Sequence, residues 1–339
     1  VDPRDPWPRF NLLEEPSKTT DLRLCWKSQC TIGLDTQRGW AYSICKQTTD
    51  QLRKNSNKEH VMPKCLSEDA ITQYHNEGYF FPIPLLSESE VAKVREQLEA
   101  FEAGQGHPLE GGQRSHTHLL FPWLDDLIRH PRILDAVEDL IGPDILCWGS
   151  IFWTKEARSA SFVSWHQDVT YWGLTGGDVV NVWVALSPAN STSGCMSVLP
   201  GSHLQPPLPH DDRYHQDNML TRGQEIAVNV DPSKTVRMPL QPGEFSLHDI
   251  RIAHGSGPNR SDDRRIGFSV QYMPTCTRQV KTDVDFAALV RGEDRFGHFR
   301  LSPPPTQAMD VDAVATHELA SAATHEILYQ GAEQNTAKL

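Results

Sequence analysis

Arg265-Ile266-Gly267-Phe268-Ser269-Val270-Gln271-Tyr272 alternates without a break. On an extended chain Ile266, Phe268, Val270 and Tyr272 share one side, and Arg265, Gly267, Ser269 and Gln271 share the other. Val180 to Leu186 repeats the pattern, with Val180, Val182, Val184 and Leu186 opposite Asn181, Trp183 and Ala185. Two strands with a greasy side and a side of polar or small groups describe a sheet that packs on one face and lines a cavity with the other. This parity turns Arg265 inward and its neighbour Arg264 outward. An inward arginine is a fork for a carboxylate.

Working outward, short strands are expected at Leu146 to Thr154, Phe162 to Asp168, Cys195 to Leu199, Lys234 to Pro239 and Glu244 to His248, each bounded by Gly, Pro, Asn or Ser. Helices precede them. Ala70, Ile71 and Tyr74 suggest a short one, followed by a strand at Gly78 to Pro82. Ser87-Glu88-Ser89-Glu90 is a capping box ahead of Val91, Val94, Leu98 and Phe101 at helical spacing. Pro131 opens another helix, which Gly142-Pro143 stops. Helices grouped ahead of many short strands predict a mainly β fold with a helical support layer: a double-stranded β-helix, or cupin-like jelly roll. The expected division is a leader over 1–66 without clear periodicity, a catalytic domain over 67–280 (helical to 143, jelly roll from 144) and a helical extension over 281–339, with helix from Val311 to Tyr329.

Trp165-His166-Gln167-Asp168 places an imidazole and a carboxylate two residues apart, on one face if the segment is extended. Alone, His-x-Asp is also the pattern of a core histidine beside a turn aspartate. A second imidazole from a distant strand would complete two histidines and one carboxylate on one side of a metal, the facial arrangement of non-haem Fe(II) oxygenases. His248 and His254 both follow the turn at Pro242-Gly243-Glu244 and compete for that place. His203 reads as a loop residue. Trp148, Phe152, Trp153, Trp165, Tyr171 and Trp172 crowd the motif, as barrel packing or as a substrate wall. His116-Thr117-His118 reads as a solvated loop that could reach the pocket mouth.

The segments Trp165-His166-Gln167-Asp168, Asn181-Val182-Trp183, Ser193-Gly194-Cys195-Met196, Leu199-Pro200-Gly201-Ser202-His203 and His254 to Ser261 together resemble the phytanoyl-CoA dioxygenase family of Fe(II)/2-oxoglutarate oxygenases. The resemblance runs from about Ser67 to Met273. It implies His166, Asp168 and His254 as iron ligands and Arg265 as the partner of the distal carboxylate of 2-oxoglutarate. It places Ser256, Gln167 and Trp183 near that co-substrate. It further implies Fe(II), 2-oxoglutarate and O2 as the reaction's requirements, with succinate and CO2 released and an aliphatic C–H of a small molecule hydroxylated. The loops after Asp168 depart from phytanoyl-CoA hydroxylase itself, so a CoA-ester substrate is not carried over. Halogenases of similar architecture have a small residue in place of the carboxylate; Asp168 therefore favours hydroxylation, with desaturation or ring closure open to the same oxidant. The alternatives from other classes are a non-catalytic cupin-like binding protein and a zinc hydrolase, which would not need Arg265.

The 339 residues carry a net charge of −12, with no long basic run, which argues against a nucleic-acid partner. No apolar run reaches membrane-spanning length, and no secretory pattern opens the chain. Seven cysteines, among them Cys25, Cys30, Cys45 and Cys65, lack the paired short spacings of a zinc site and suit a reducing compartment. A cytoplasmic location follows, or a peroxisomal one if Ala337-Lys338-Leu339 serves as an address. Nothing in the sequence sets the oligomeric state.

Overall fold

The computed structural model describes residues 62–332. Cys25, Cys30, Cys45 and the Ala337-Lys338-Leu339 terminus lie outside them. Two helices begin where the sequence places a cap. Ser67 accepts from the Ala70 N–H at the start of α1 (Glu68–Glu77). Ser87 and Glu90 close a reciprocal capping box on α2 (Glu88–Gln105). These satisfy N–H groups that a helix cannot satisfy itself. Between the two helices runs β1 (Tyr79–Pro84). Then α3 (Pro122–Ile128) and α4 (Pro131–Ile141) follow, each with proline in its first turn, and Gly142 ends α4.

The strands are β2 (Ile145–Lys155), β3 (Val163–His166), β4 (Val180–Ala185), β5 (Met196–Val198), β6 (Val236–Met238), β7 (Glu244–Asp249), β8 (His254–Ser256), β9 (Arg265–Pro274), β10 (Phe286–Arg291) and β11 (Arg300–Leu301). A one-turn helix, α5 (Val169–Trp172), follows β3, and α6 (Val311–Tyr329) closes the described chain. Among the described residues seven strands form one sheet in the order β1-β7-β4-β9-β2-β10-β11 and four form a second in the order β3-β8-β5-β6; the short segments Leu174–Thr175 with Arg278–Gln279 and His210–Asp212 with Gln224–Ile226 make two small pairs outside them. All pairings are antiparallel except β10 with β11. The expected jelly roll is therefore present, with its helical layer.

The parity argument can be read directly in the packing. Ile266, Phe268, Val270, Tyr272, Val180, Val182 and Val184 are fully buried in one apolar cluster with Leu124, Ile128, Ile133 and Val137 of the support helices. At roughly 25 cal/mol per Å2 of apolar surface, this interface is the main force fixing the sheet's outer face. The opposite sides of the same strands turn to the interior cavity. Arg264 points outward, where Glu102 and Glu156 hold it.

Two expectations need correction. The strand predicted to run through Asp168 stops at His166. Asp168 instead has helical backbone and sits at the N-cap of α5, the following Val169 N–H donating to the Ile250 carbonyl. The second concerns 281–339, expected to be a helical extension. It contains β10, paired with β2 inside the large sheet, so the jelly roll runs past 280. Its Phe286-Ala287-Ala288-Leu289-Val290-Arg291 lacks the polar alternation that marks the other strands. Among the described residues of that stretch only α6 is helical, with the bounds read from the sequence.

Candidate metal and co-substrate site

His166 ends β3 and His254 begins β8, and the two are directly opposite in the antiparallel pair. Their rings lie 4.2 Å apart between centroids. Asp168, one step into the turn after β3, brings a carboxylate oxygen 3.2 Å from His166 Nε2. One donor atom from each of the three lies within 4.8 Å of the others, and all three residues are buried.

Hydrogen bonding fixes which nitrogens face inward. His166 Nδ1 donates to the Ser164 carbonyl at 2.9 Å, and His254 Nδ1 donates to the Ile252 carbonyl at 3.1 Å. A carbonyl can only accept, so each neutral ring carries its proton on Nδ1 and presents a bare Nε2. For His166 that lone pair faces a carboxylate oxygen. Two acceptors at 3.2 Å repel unless a proton or a cation lies between them. Burial, with His166 alongside, pushes His254 down to about 3, which disfavours the proton there. Burial works against the charge on Asp168, yet the close approach of His166 and the neighbouring His254 and His248 outweighs it and holds the carboxyl below its ordinary range. Asn181 Nδ2 donates to the other Asp168 oxygen at 3.3 Å and fixes the plane of the carboxylate. Imidazoles tethered at Nδ1, an ionised carboxylate and second partners that lock each orientation are the donor chemistry a divalent first-row metal takes.

A cavity of about 130 Å3 opens beside this cluster. Arg265 enters it from β9, and Trp183 from β4 lies beneath, its ring centroid 5.3 Å from the guanidinium carbon. Gly267 permits this, since any Cβ there would lie 1.8 Å from the indole. Arg265 is 2% exposed and, among the described residues, has no acidic partner within salt-bridge distance. Its Nε and Nη2 lack hydrogen-bond partners, and Nη1 reaches only the Gly194 carbonyl, at 3.5 Å. Desolvation pushes it down to about 10. A buried, unpaired guanidinium is costly and calls for an anion.

Ser256 and Trp183 line the cavity, as the resemblance implies. Gln167 does not. Its amide donates to the Arg251 carbonyl and accepts from the Leu208 N–H, bracing two loops behind the metal cluster. The turn at Asp168 rotates Gln167 away. His203 Nε2 donates to the His75 carbonyl at 3.1 Å, outside the cavity, a loop role as expected. His248 is not in the three-donor cluster. It lines the cavity 4.9 Å from His254, buried, with neither ring nitrogen partnered in the described chain, and burial pushes it down to about 4.

Of the aromatic residues, Trp148, Trp153 and Trp172 form cavity wall, whereas Phe152 packs on Phe268 in the core. His116 and His118 are buried, correcting the solvated-loop expectation; His116 lines the cavity and its Nε2 is 2.7 Å from the Thr324 hydroxyl. Three contributors escaped the sequence reading. Lys155, one residue past the predicted strand, shares the inward face of Ile151 and Trp153, a signal that parity carried. Thr324 and Leu328 of α6 line the cavity, and Lys155 touches Ser256 at its edge. Only the fold reveals that.

A jelly roll whose interior joins two imidazoles, one carboxylate and a waiting guanidinium defines the class: the protein is a non-haem iron- and 2-oxoglutarate-dependent oxygenase. It belongs to the phytanoyl-CoA dioxygenase family, whose family model matches residues 61–267. A probable alpha-ketoglutarate-dependent hypophosphite dioxygenase of Stutzerimonas stutzeri is 27% identical over 212 residues, 57% of this chain and 73% of that protein. The peroxisomal phytanoyl-CoA dioxygenase of Bos taurus is 28% identical over 44% of this chain, and the match spans 46% of its own length. Among solved structures, the non-heme monooxygenase ThoJ in its apo form is 33% identical with a TM-score of 0.68, covering 77% of this chain and 98% of ThoJ; its nickel complex scores 0.63 at 29% identity. Among the described residues, no helix is long and apolar enough to cross a membrane.

Proposed function

We propose that this protein hydroxylates an aliphatic C–H of a small molecule: substrate R–H, 2-oxoglutarate and O2 give R–OH, succinate and CO2. The observation that carries the reading is the pairing, across one cavity, of the His166, Asp168 and His254 cluster with an Arg265 that has no anionic partner among the described residues. Ferrous iron bound by these three residues would supply the oxidising chemistry that couples decarboxylation to oxygen insertion.

The chain's own residues have separable tasks. The Ser164 and Ile252 carbonyls hold the two imidazoles in the metal-binding tautomer. Asn181 holds Asp168. Arg265, on its Trp183 platform, anchors the distal carboxylate of 2-oxoglutarate, and Ser256 beside it adds a hydroxyl. Trp148, Trp153 and Trp172 exclude water and hold the apolar part of the substrate. Hydroxylation is favoured over halogenation because Asp168 occupies the place a halide would need. A zinc hydrolase leaves the buried charge of Arg265 without a purpose.

The test is succinate formation by the purified, Fe(II)-loaded protein with 2-oxoglutarate across a panel of small molecules, alongside His166→Ala and Asp168→Ala variants. Substrate-stimulated succinate with an added hydroxyl is expected, lost in both variants. Retention of turnover in Asp168→Ala, or activity in zinc without oxygen, would overturn the reading.

A further inference from the structure

We propose that Lys155 is a positioning residue of the co-substrate pocket: it fixes the Ser256 hydroxyl as a donor aimed at the carboxylate that Arg265 holds. The proposal rests on the assignment of that pocket to 2-oxoglutarate.

Lys155 ends β2 directly opposite Arg265 of β9. It has no solvent exposure and, among the described residues, no acidic partner within salt-bridge distance. Its Nζ donates to the Gly257 carbonyl at 2.6 Å, to Ser256 Oγ at 2.7 Å and to the Ser256 carbonyl at 3.3 Å. Three acceptors surround the three N–H bonds of an ammonium group. A hydroxyl that accepts from an ammonium has its own proton left to donate elsewhere. Ser256 lines the cavity with Arg265, so that proton has the cavity as its outlet. The arrangement makes a two-donor cradle, guanidinium and hydroxyl, for one carboxylate.

The charge balance supports the same assignment. Two buried cations on paired strand positions repel each other, and burial together with Arg265 pushes Lys155 down to about 6. A dianion is the ligand that relieves both. When it binds, the ammonium form is favoured, and only that form donates to Ser256. In the neutral amine the two carbonyls take both N–H bonds, and the hydroxyl turns back toward nitrogen. Lys155 therefore touches no substrate; it acts through Ser256.

The test is calorimetric titration of 2-oxoglutarate into the full-length protein loaded with Ni(II), which binds without turnover. Wild type, Arg265→Ala, Lys155→Met, Ser256→Ala and the Lys155→Met/Ser256→Ala double variant are compared. Loss of one charge-assisted hydrogen bond predicts a Kd about tenfold higher or more in Lys155→Met. Ser256→Ala should match it, and the double variant should be no weaker than either single one. A lysine that only props up the strand end would give additive effects. Absence of binding in wild type, or no loss in Arg265→Ala, would reject the pocket assignment itself. Normal loss in Arg265→Ala with an unchanged Kd in Lys155→Met, or additivity in the double variant, would overturn the role of Lys155 alone. If Lys155→Met yields no folded protein, Ser256→Ala decides: an unchanged Kd there also overturns the proposal.

Discussion

Gly267→Ala probes the anion pocket without touching any polar group in it. The added Cβ would lie 1.8 Å from Trp183 Cζ2, 2.4 Å from Cε2 and 2.6 Å from Cη2. Ordinary contact begins at 3.4 Å, so the indole must retreat by about 1.6 Å. It has little room to do so. Trp183 is 4% exposed and packs with Ala185, Ala189, Cys195 and Leu240. Overpacking of this kind costs about 1–3 kcal/mol. At roughly 2–4 °C per kcal/mol for a domain of this size class, the melting midpoint should fall by about 2–12 °C. The functional effect should exceed what stability explains, because the displaced ring is the platform under Arg265. A 2-oxoglutarate Kd at least tenfold higher is expected, an energy of about 1.4 kcal/mol. Gly104→Ala is the control: a Cβ there meets nothing within 4 Å, on a helix that tolerates alanine. Scanning calorimetry and titration calorimetry on the metal-loaded protein read both effects. Unchanged midpoint and unchanged Kd in Gly267→Ala would refute the claim that Trp183 and Gly267 jointly build the pocket.

Arg265→Met should abolish the rise in melting midpoint that 2-oxoglutarate gives, while the ligand-free protein melts no lower than wild type, since an unpaired buried cation is removed; a destabilised ligand-free variant in differential scanning fluorimetry would show that Arg265 has a structural partner. The metal-free protein should lose stability in acid. His116, His248 and His254 are held near 3, 4 and 3 by burial, below their ordinary value of 6.5. Their contribution is complete above pH 6.5 and is lost as pH falls toward those values, because the unfolded chain takes up protons that the fold refuses. The slope is on the order of 1.4 kcal/mol per pH unit for each histidine. Denaturant melts at pH 7 and pH 5 that coincide would refute this. Leu328→Ala should leave the 2-oxoglutarate Kd within about twofold while changing which panel compounds stimulate succinate; an unaltered substrate profile would remove α6 from the substrate wall.

The legible parts of this molecule are those where chemistry repeats with the period of the backbone. Alternation along Arg265–Tyr272 marked the buried face and the cavity face, and it separated Arg265 from Arg264. The capping box Ser87 to Glu90 located α2 because a cap is local chemistry. Failures arose where tertiary contacts decide. Asp168 is two residues from His166, which suggested a continuous strand. The chain instead turns into α5, and the carboxylate reaches His166 by that turn. Gln167 sits inside the recognisable motif, yet the same turn sends its amide to Arg251 and Leu208. The residues of α6 that face the cavity carry no mark in the sequence. Their place depends on His317 reaching the Ser115 carbonyl, Lys281 reaching the Ile327 carbonyl and Tyr329 donating to the Thr221 carbonyl, over separations of 46 to 202 residues.

The two halves of the site are prepared in opposite ways, and this has a thermodynamic consequence. The metal half is oriented in advance: His166 and His254 are each tethered to a carbonyl two residues back along the chain, and Asp168 is held by Asn181. The anion half is left unsatisfied. Among the described residues Arg265 has two bare nitrogens and no acidic partner, and burial beside Arg265 disfavours the charge on Lys155. The fold therefore bears a standing electrostatic cost that apolar burial along the sheet offsets. A dicarboxylate entering the cavity relieves that cost, so part of its binding free energy is already stored in the empty protein. Co-substrate binding should consequently stabilise this chain more than metal binding alone. A melting midpoint that rises with Ni(II) but gains nothing further from saturating 2-oxoglutarate would contradict that division.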